Sequence, residues 1–109
     1  MLEGNEYQAL AMRTANEGCR NLSNVGLGLA GEAGECAEII KKHLHHEHPL
    51  DRDHLLKELG DVLWYVALGC ELLGETLENV MSLNIDKLKA RYPEGFDPDK
   101  SLHRKEGDI

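Results

Sequence analysis

No apolar run in the chain approaches the roughly 18 to 20 residues that a bilayer-spanning helix requires. The first ten residues, MLEGNEYQAL, lack the basic-then-apolar order of a secretory signal. The expected location is the cytoplasm, with no membrane partner. Basic residues are also scarce, 12 Lys and Arg against 20 Asp and Glu, which leaves a formal charge of -8. A nucleic-acid polymer or an anionic lipid surface would be repelled. Cysteine is limited to Cys19, Cys36 and Cys70, an odd number with no Cys-x-x-Cys pair. That excludes a disulfide framework and a thiolate zinc site, and predicts reduced thiols in a core. Period-two alternation and β-branched clusters are lacking too, so strands are not expected. At 109 residues there is room for one ordinary domain.

What is present is sustained apolar spacing at 3.6 residues, divided by punctuation into four helices. The first is predicted over residues 5–17, ending at Gly18, and the second starts near Ser23 or Asn24, either of which can cap it. Residues 43–53, HLHHEHPLDRD, form a loop because Pro49 forbids helix continuation, and Asp51 or Asp53 offers the next cap. A third helix then reaches about Leu73, where Gly74 supplies a left-handed stop. Thr76 can cap a fourth that runs to Arg91 or Tyr92. Residues 1–92 are thus expected as an all-α domain, a small bundle of about four helices. Residues 93–109 hold two Pro-containing breaks and are expected as an extended tail that is ordered only if it docks.

Short connections imply antiparallel neighbours. On a helical wheel of the third helix, Leu55, Leu59, Val62, Val66 and Leu73 form one stripe, while Trp64, Leu68 and Leu72 fall on other faces. A helix that is apolar on most sides is buried on most sides, and one short chain can hardly surround it. A second copy is therefore expected to cover it.

Two acidic pairs stand out, Glu32 with Glu35 and Glu58 with Asp61, each at i, i+3 spacing. Other pairs in this acidic chain repeat the spacing, and a solvated face accounts for them. Position separates these two. Glu32 falls inside the stripe of Val25, Leu29, Cys36 and Ile39 with Glu35 at its edge, and Glu58, Asp61 and Tyr65 line one edge of the third helix. Antiparallel packing of the second and third helices brings the four carboxylates to one level. Two such charges about 4 Å apart repel by roughly 4 kcal/mol at an effective dielectric of about 20. Shared protons, basic partners or a divalent cation must relieve this. An oxygen-only set with no Cys or His in register selects Mg²⁺ or Mn²⁺. On the fourth helix Asn84 interrupts the stripe of Leu77, Val80, Met81 and Leu88, and Lys87 and Arg91 follow along its flank. Taken singly, the two cations read as a snorkelling Lys and a dipole-stabilised Arg. Together with the carboxylates they suit a phosphorylated ligand.

Most of the chain resembles the MazG-like, all-α nucleoside triphosphate pyrophosphohydrolases. The likeness runs from Glu6, Tyr7 and Gln8 through LGLAGEAGECAEIIKK (27–42) and ELGDVLWYVA (58–67) to NIDKLKARYP (84–93). The family signature is Glu-Glu-x-x-Glu followed by Glu-x-x-Asp; here Gly31 stands at the first Glu, as in many small single-domain members. The resemblance implies that Glu32, Glu35, Glu58 and Asp61 are Mg²⁺ ligands and that Tyr65, Asn84, Lys87 and Arg91 contact the phosphates. It implies hydrolysis between the α- and β-phosphates, with Glu35 and Glu32 in the catalytic set, Glu35 taking the proton from water. A homodimer or homotetramer is implied as well.

Gln8 and Asn24 are candidate base-reading amides, whereas Trp64, opposite the acidic edge, reads as interface core. His43, His45, His46 and His48 show no zinc-binding helix spacing and read as a solvated loop. A ferritin-like carboxylate protein would need Glu-x-x-His pairs, which the acidic pairs lack. The competing function is a non-catalytic oligomeric helical module with a vestigial metal site, which leaves Glu32 and Asn84 inside apolar stripes unexplained.

Overall fold

The computed structural model describes all 109 residues: α1 (Gly4–Met12), a short 3₁₀ turn (Glu17–Cys19), α2 (Leu22–His45), α3 (Arg52–Leu72), α4 (Leu77–Arg91) and α5 (Pro98–Leu102). There is no strand, and the all-helical expectation holds. The chain divides into two compact units, Met1–Leu77 and Glu78–Ile109.

Local hydrogen bonding sets the boundaries and corrects several expected ones. A capping box joins Glu3 and Glu6 at the start of α1, but the helix ends at Met12 rather than continuing to residue 17. Thr14 Oγ1 donates to the Ala11 carbonyl at 2.7 Å, and the Arg20 guanidinium donates to the carbonyls of Met12 and Ala15 at 3.2 and 3.3 Å. These side chains occupy carbonyls that a longer helix would have used. The cap of α2 is Asn21, not Ser23 or Asn24: its Oδ1 accepts from the Asn24 backbone N–H at 2.7 Å. Asp51 caps α3 by accepting from the His54 N–H at 3.1 Å. Gly74, at φ 70°, makes the expected left-handed stop beyond α3.

Within residues 1–77, α3 is central, packed against α2 on one side and α1 on another. The core is Met12, Val25, Ala67 and Leu68, with Tyr7, Leu29, Trp64, Tyr65 and Leu72 packed against it. The inward face of α3 therefore follows Trp64, Leu68 and Leu72, the residues assigned above to other faces. The expected stripe is displaced, because Leu59 and Leu73 remain 50% and 70% exposed. Leu68 is fully buried. Leu68→Ala removes three carbons from this close-packed centre and should cost about 2–5 kcal/mol, read as a lower urea midpoint.

Gln8 is the one buried polar side chain. Its Nε2 donates to Glu71 Oε2 at 2.9 Å and to the Glu75 carbonyl at 3.0 Å, and its Oε1 accepts from the Leu77 N–H at 2.6 Å. The amide thus ties α1 to the connection that follows α3. Each of its bonds satisfies a group that would otherwise lose a partner.

Within the unit 78–109, residues 93–109, expected as an extended tail ordered only if it docks, carry a short helix and meet α4. Pro98 sits in the first turn of α5, Asp97 Oδ1 accepts from the Asp99 N–H at 2.9 Å, and Tyr92 meets Phe96 edge-to-face at 5.2 Å. Arg91 and Asp108 close the unit with a paired ionic contact. Of the expected α4 stripe, Leu77 is buried and Val80 half-buried, whereas Met81 and Leu88 are 50% and 39% exposed, and Leu83 and Ile85 beside them are exposed as well.

Candidate functional site

The register of α2 against α3 places the acidic residues. A Cβ built at Gly69 would lie 3.4 Å from Val25, and one built at Gly28 would fall inside the Tyr65 ring. Advancing about one turn along α2 thus retreats about one turn along α3, the mark of antiparallel packing. The next turn sets Glu32 against Asp61 and Glu58. Side-chain oxygens of these three lie within 4.8 Å of one another. Glu32 and Glu58 are half-buried and Asp61 is exposed.

The carboxylates perturb one another. The Glu32 carboxyl is held above its usual range, first by a hydrogen bond shared with Glu58, then by partial burial and by the charges of Asp61, Glu58 and Glu35. A hydrogen bond between two carboxyl groups requires a proton on one of them, which is the metal-free way to relieve the repulsion. No Lys or Arg pairs with any of the three; the ion pairs of the unit lie elsewhere, except that His54 Nε2 is 3.2 Å from Glu58 Oε1. The raised value has a defined sign. Glu32 gives up its proton on unfolding, so its contribution to stability is complete below the ordinary carboxylate range and is lost as pH rises through the elevated value. Metal-free protein should therefore lose melting temperature across that interval, and Glu32→Gln should flatten the profile; parallel parent and variant profiles would refute the shared proton.

The remaining expected site residues fare differently. Glu35 is exposed and outside the group of three, although its charge reaches Glu32. Tyr65 lies in the seam against Gly28, edge-to-face with Trp64 at 5.0 Å. Asn84, Lys87 and Arg91 belong to the other unit. Arg91 is engaged there: its Nε and Nη2 donate to the two carboxylate oxygens of Asp108 at 2.8 and 2.7 Å. Gln8 is held inside the fold by the three bonds described above. Asn24 Nδ2 donates to the Cys19 carbonyl at 2.9 Å, inside the α2 entry turn. Trp64, expected as interface core, packs half-buried against the core of its own chain, its Nε1 donating to Thr14 Oγ1 at 2.8 Å and to the Ala11 carbonyl at 3.3 Å. Cys36 and Cys70 are buried and Cys19 half-buried, all as free thiols. Where a loop was expected from residue 43, α2 runs on to His45 and so carries His43 and His45; His43 Nδ1 bonds the His48 carbonyl at 2.8 Å, and none of these histidines joins a metal-ligating group.

Two neighbours of the acidic group were missed. His54 contradicts the expectation that no His lies in register; its signal was the i, i+4 spacing to Glu58 on one helix face. It is not one of the three clustered groups, but it orients one of them. Tyr7, half-buried on α1, has its phenol pushed up by burial and by the charge of Asp61. Its signal lay only in the tertiary packing of α1. Chemically, three converging carboxylates with no Lys or Arg partner form an all-oxygen set for a hard divalent cation. Glu32, Glu58 and Asp61 would hold it, and His54 would fix the Glu58 carboxylate.

No helix is long and apolar enough to cross a membrane. No solved structure matches the chain. The Gene 37 protein of Mycobacterium phage L5 is 44% identical over 78 residues, covering 68% of each chain. The model of the MazG nucleotide pyrophosphohydrolase domain matches residues 20–96, a stretch that holds all three clustered carboxylates. On that match, the chain belongs to the MazG nucleotide pyrophosphohydrolase domain family.

Proposed function

We propose that the protein hydrolyses nucleoside triphosphates, ribo- or deoxy-, to the monophosphate and pyrophosphate in a Mg²⁺-dependent reaction in which Mn²⁺ can substitute. The observation that carries this reading is the convergence of Glu32, Glu58 and Asp61 within 4.8 Å, in a chain of the MazG family. When bound there, a divalent cation supplies Lewis acidity toward phosphoryl oxygens and lowers the pKa of a water. The chain's own residues do the rest. Glu35, exposed one turn beyond Glu32, takes the proton as the water oxygen bonds to phosphorus and the bridging P–O bond breaks. Tyr65 borders the seam, and Asn84, Lys87 and Arg91 meet the triphosphate charge. Removal of abnormal nucleotides in the cytoplasm is the role we assign to the reaction.

The working form in this reading is a homodimer or homotetramer. Exposed Leu56, Leu59 and Leu63 on α3 and Met81, Leu83 and Ile85 on α4 support it, because a second copy would remove them from water. The test incubates purified protein with Mg²⁺ and a panel of ribo-, deoxy- and damaged triphosphates while pyrophosphate and orthophosphate are assayed separately. Pyrophosphate release is expected. Silence on every member would overturn the hydrolase reading and favour the non-catalytic oligomeric module.

A further inference from the structure

A cavity of ≈ 310 Å³ in the unit 78–109 is lined by Lys87, Arg91, Lys100, Arg104 and Lys105. These are five of the chain's 12 Lys and Arg residues, gathered at one place in a protein of net charge -8. Asp108 is the one carboxylate in the lining. It grips Arg91 with both oxygens, at side-chain exposures of 19% and 10% respectively, and the charges of Arg104 and Lys87 join Arg91 in holding it below its usual carboxylate range. His103, also in the lining, is paired with Asp99 at 3.0 Å. The site already holds an oxyanion, therefore, and that oxyanion belongs to the chain itself. The charges do not balance: Arg91, Arg104 and Lys87 act on this single carboxylate, and Lys100 and Lys105 line the same cavity. A guanidinium fork accepts phosphate in the same bidentate geometry as carboxylate, and a condensed phosphate brings several charges where Asp108 brings one. The volume lies at the lower end of the about 300–1,000 Å³ typical of small-molecule sites, enough for a compact anion.

We propose that this pocket, built by α4 together with residues 100–105, binds a diphosphate or triphosphate group, and that Asp108 occupies it as an internal carboxylate which such an anion displaces. It rests on and deepens the hydrolase reading, which already sets Lys87 and Arg91 against a nucleotide's phosphates, by adding Lys100, Arg104 and the competing Asp108; free inorganic diphosphate is the other source of the group. Lys100, Arg104 and Lys105 become ligand-binding residues, and Asp108 becomes a competitor whose strength sets the apparent affinity.

The test is calorimetric titration of the full chain with inorganic diphosphate, in EDTA and at fixed ionic strength, so that the acidic group takes no part. Asp108→Asn should bind about tenfold more tightly, because a charge-assisted competitor has been removed. Asp108→Glu, which keeps the competing charge, should stay near the parent. Lys100→Ala and Arg104→Ala should each bind several-fold more weakly, and inorganic phosphate should bind more weakly than diphosphate. Unchanged or weaker binding by Asp108→Asn, or parent affinity in both Lys100→Ala and Arg104→Ala, would overturn the proposal; far-ultraviolet circular dichroism verifies that each variant is folded. Competition between diphosphate and a nucleoside triphosphate supports the site with the substrate's own phosphates as occupant, and independent binding supports it with free diphosphate. An active hydrolase that fails to bind diphosphate sinks this inference alone, whereas intact binding without hydrolysis sinks only the hydrolase reading.

Discussion

Glu58→Gln and Asp61→Asn are expected to lower turnover by roughly 10²-fold or more, the loss that follows when a few kcal/mol of transition-state stabilisation disappears. Each replacement preserves shape while removing a charge from the group in which Glu32, Glu58 and Asp61 lie within 4.8 Å. Folding should survive. Without Mg²⁺ the variants should melt at or above the parent's temperature, because one of three mutually repelling charges has gone while the amide introduced at position 58 can still donate to Glu32. With Mg²⁺ the order should reverse: a cation that binds only the folded state raises the melting temperature in proportion to its affinity, and the parent has the higher affinity. An equal metal-induced shift in parent and variants would count against the three residues as ligands. His54→Ala offers a graded comparison. It leaves the carboxylates in place but frees Glu58 from its 3.2 Å partner, so a smaller loss, of about 10- to 100-fold in metal affinity, is expected.

Gly28→Ala should be the most damaging single-methyl change on α2. The added Cβ would fall among the ring carbons of Tyr65, so either the ring or the helix must move. Tyr65 has little freedom, being packed on the Met12, Val25, Ala67 and Leu68 core and against Trp64. Overpacking of this kind costs about 1–3 kcal/mol. The methyl itself favours helix by about 1 kcal/mol over glycine, so the net loss measures the steric conflict against a local gain. Gly26→Ala and Gly31→Ala, where nothing lies within 4 Å of the built Cβ, should display that local gain alone and melt higher than the parent. Because Gly28 lies one turn from Glu32, spreading the seam there should also reduce Mg²⁺ affinity. Combining Gly28→Ala with Tyr65→Leu should recover part of the stability. A Gly28→Ala protein as stable as Gly26→Ala would show that the ring moves freely and that the seam does not depend on this contact.

The amino-acid sequence by itself determined the helical class, a loop around Pro49, an aspartate cap on α3 at Asp51 or Asp53, the left-handed stop at Gly74 and the level at which Glu32 meets Glu58 and Asp61. These rest on effects confined to a few residues: 3.6-residue spacing, a missing proline N–H, a carboxylate beside a free helix N–H. Even the convergence of Glu32 with Glu58 and Asp61 was legible, since two helices joined by a short loop have one antiparallel register and the distances from the loop match. The tertiary structure alone decided which face of α3 turns inward. A helix with apolar groups on several sides has no unique buried stripe until α1 and α2 choose one, and they chose Trp64, Leu68 and Leu72. It likewise decided the fate of the polar side chains. Gln8 is engaged by groups 63 to 69 residues away, and Arg91 by a carboxylate 17 residues on. No local pattern specifies such partners, because hydrogen bonds and ion pairs are short-ranged in space and indifferent to separation along the chain.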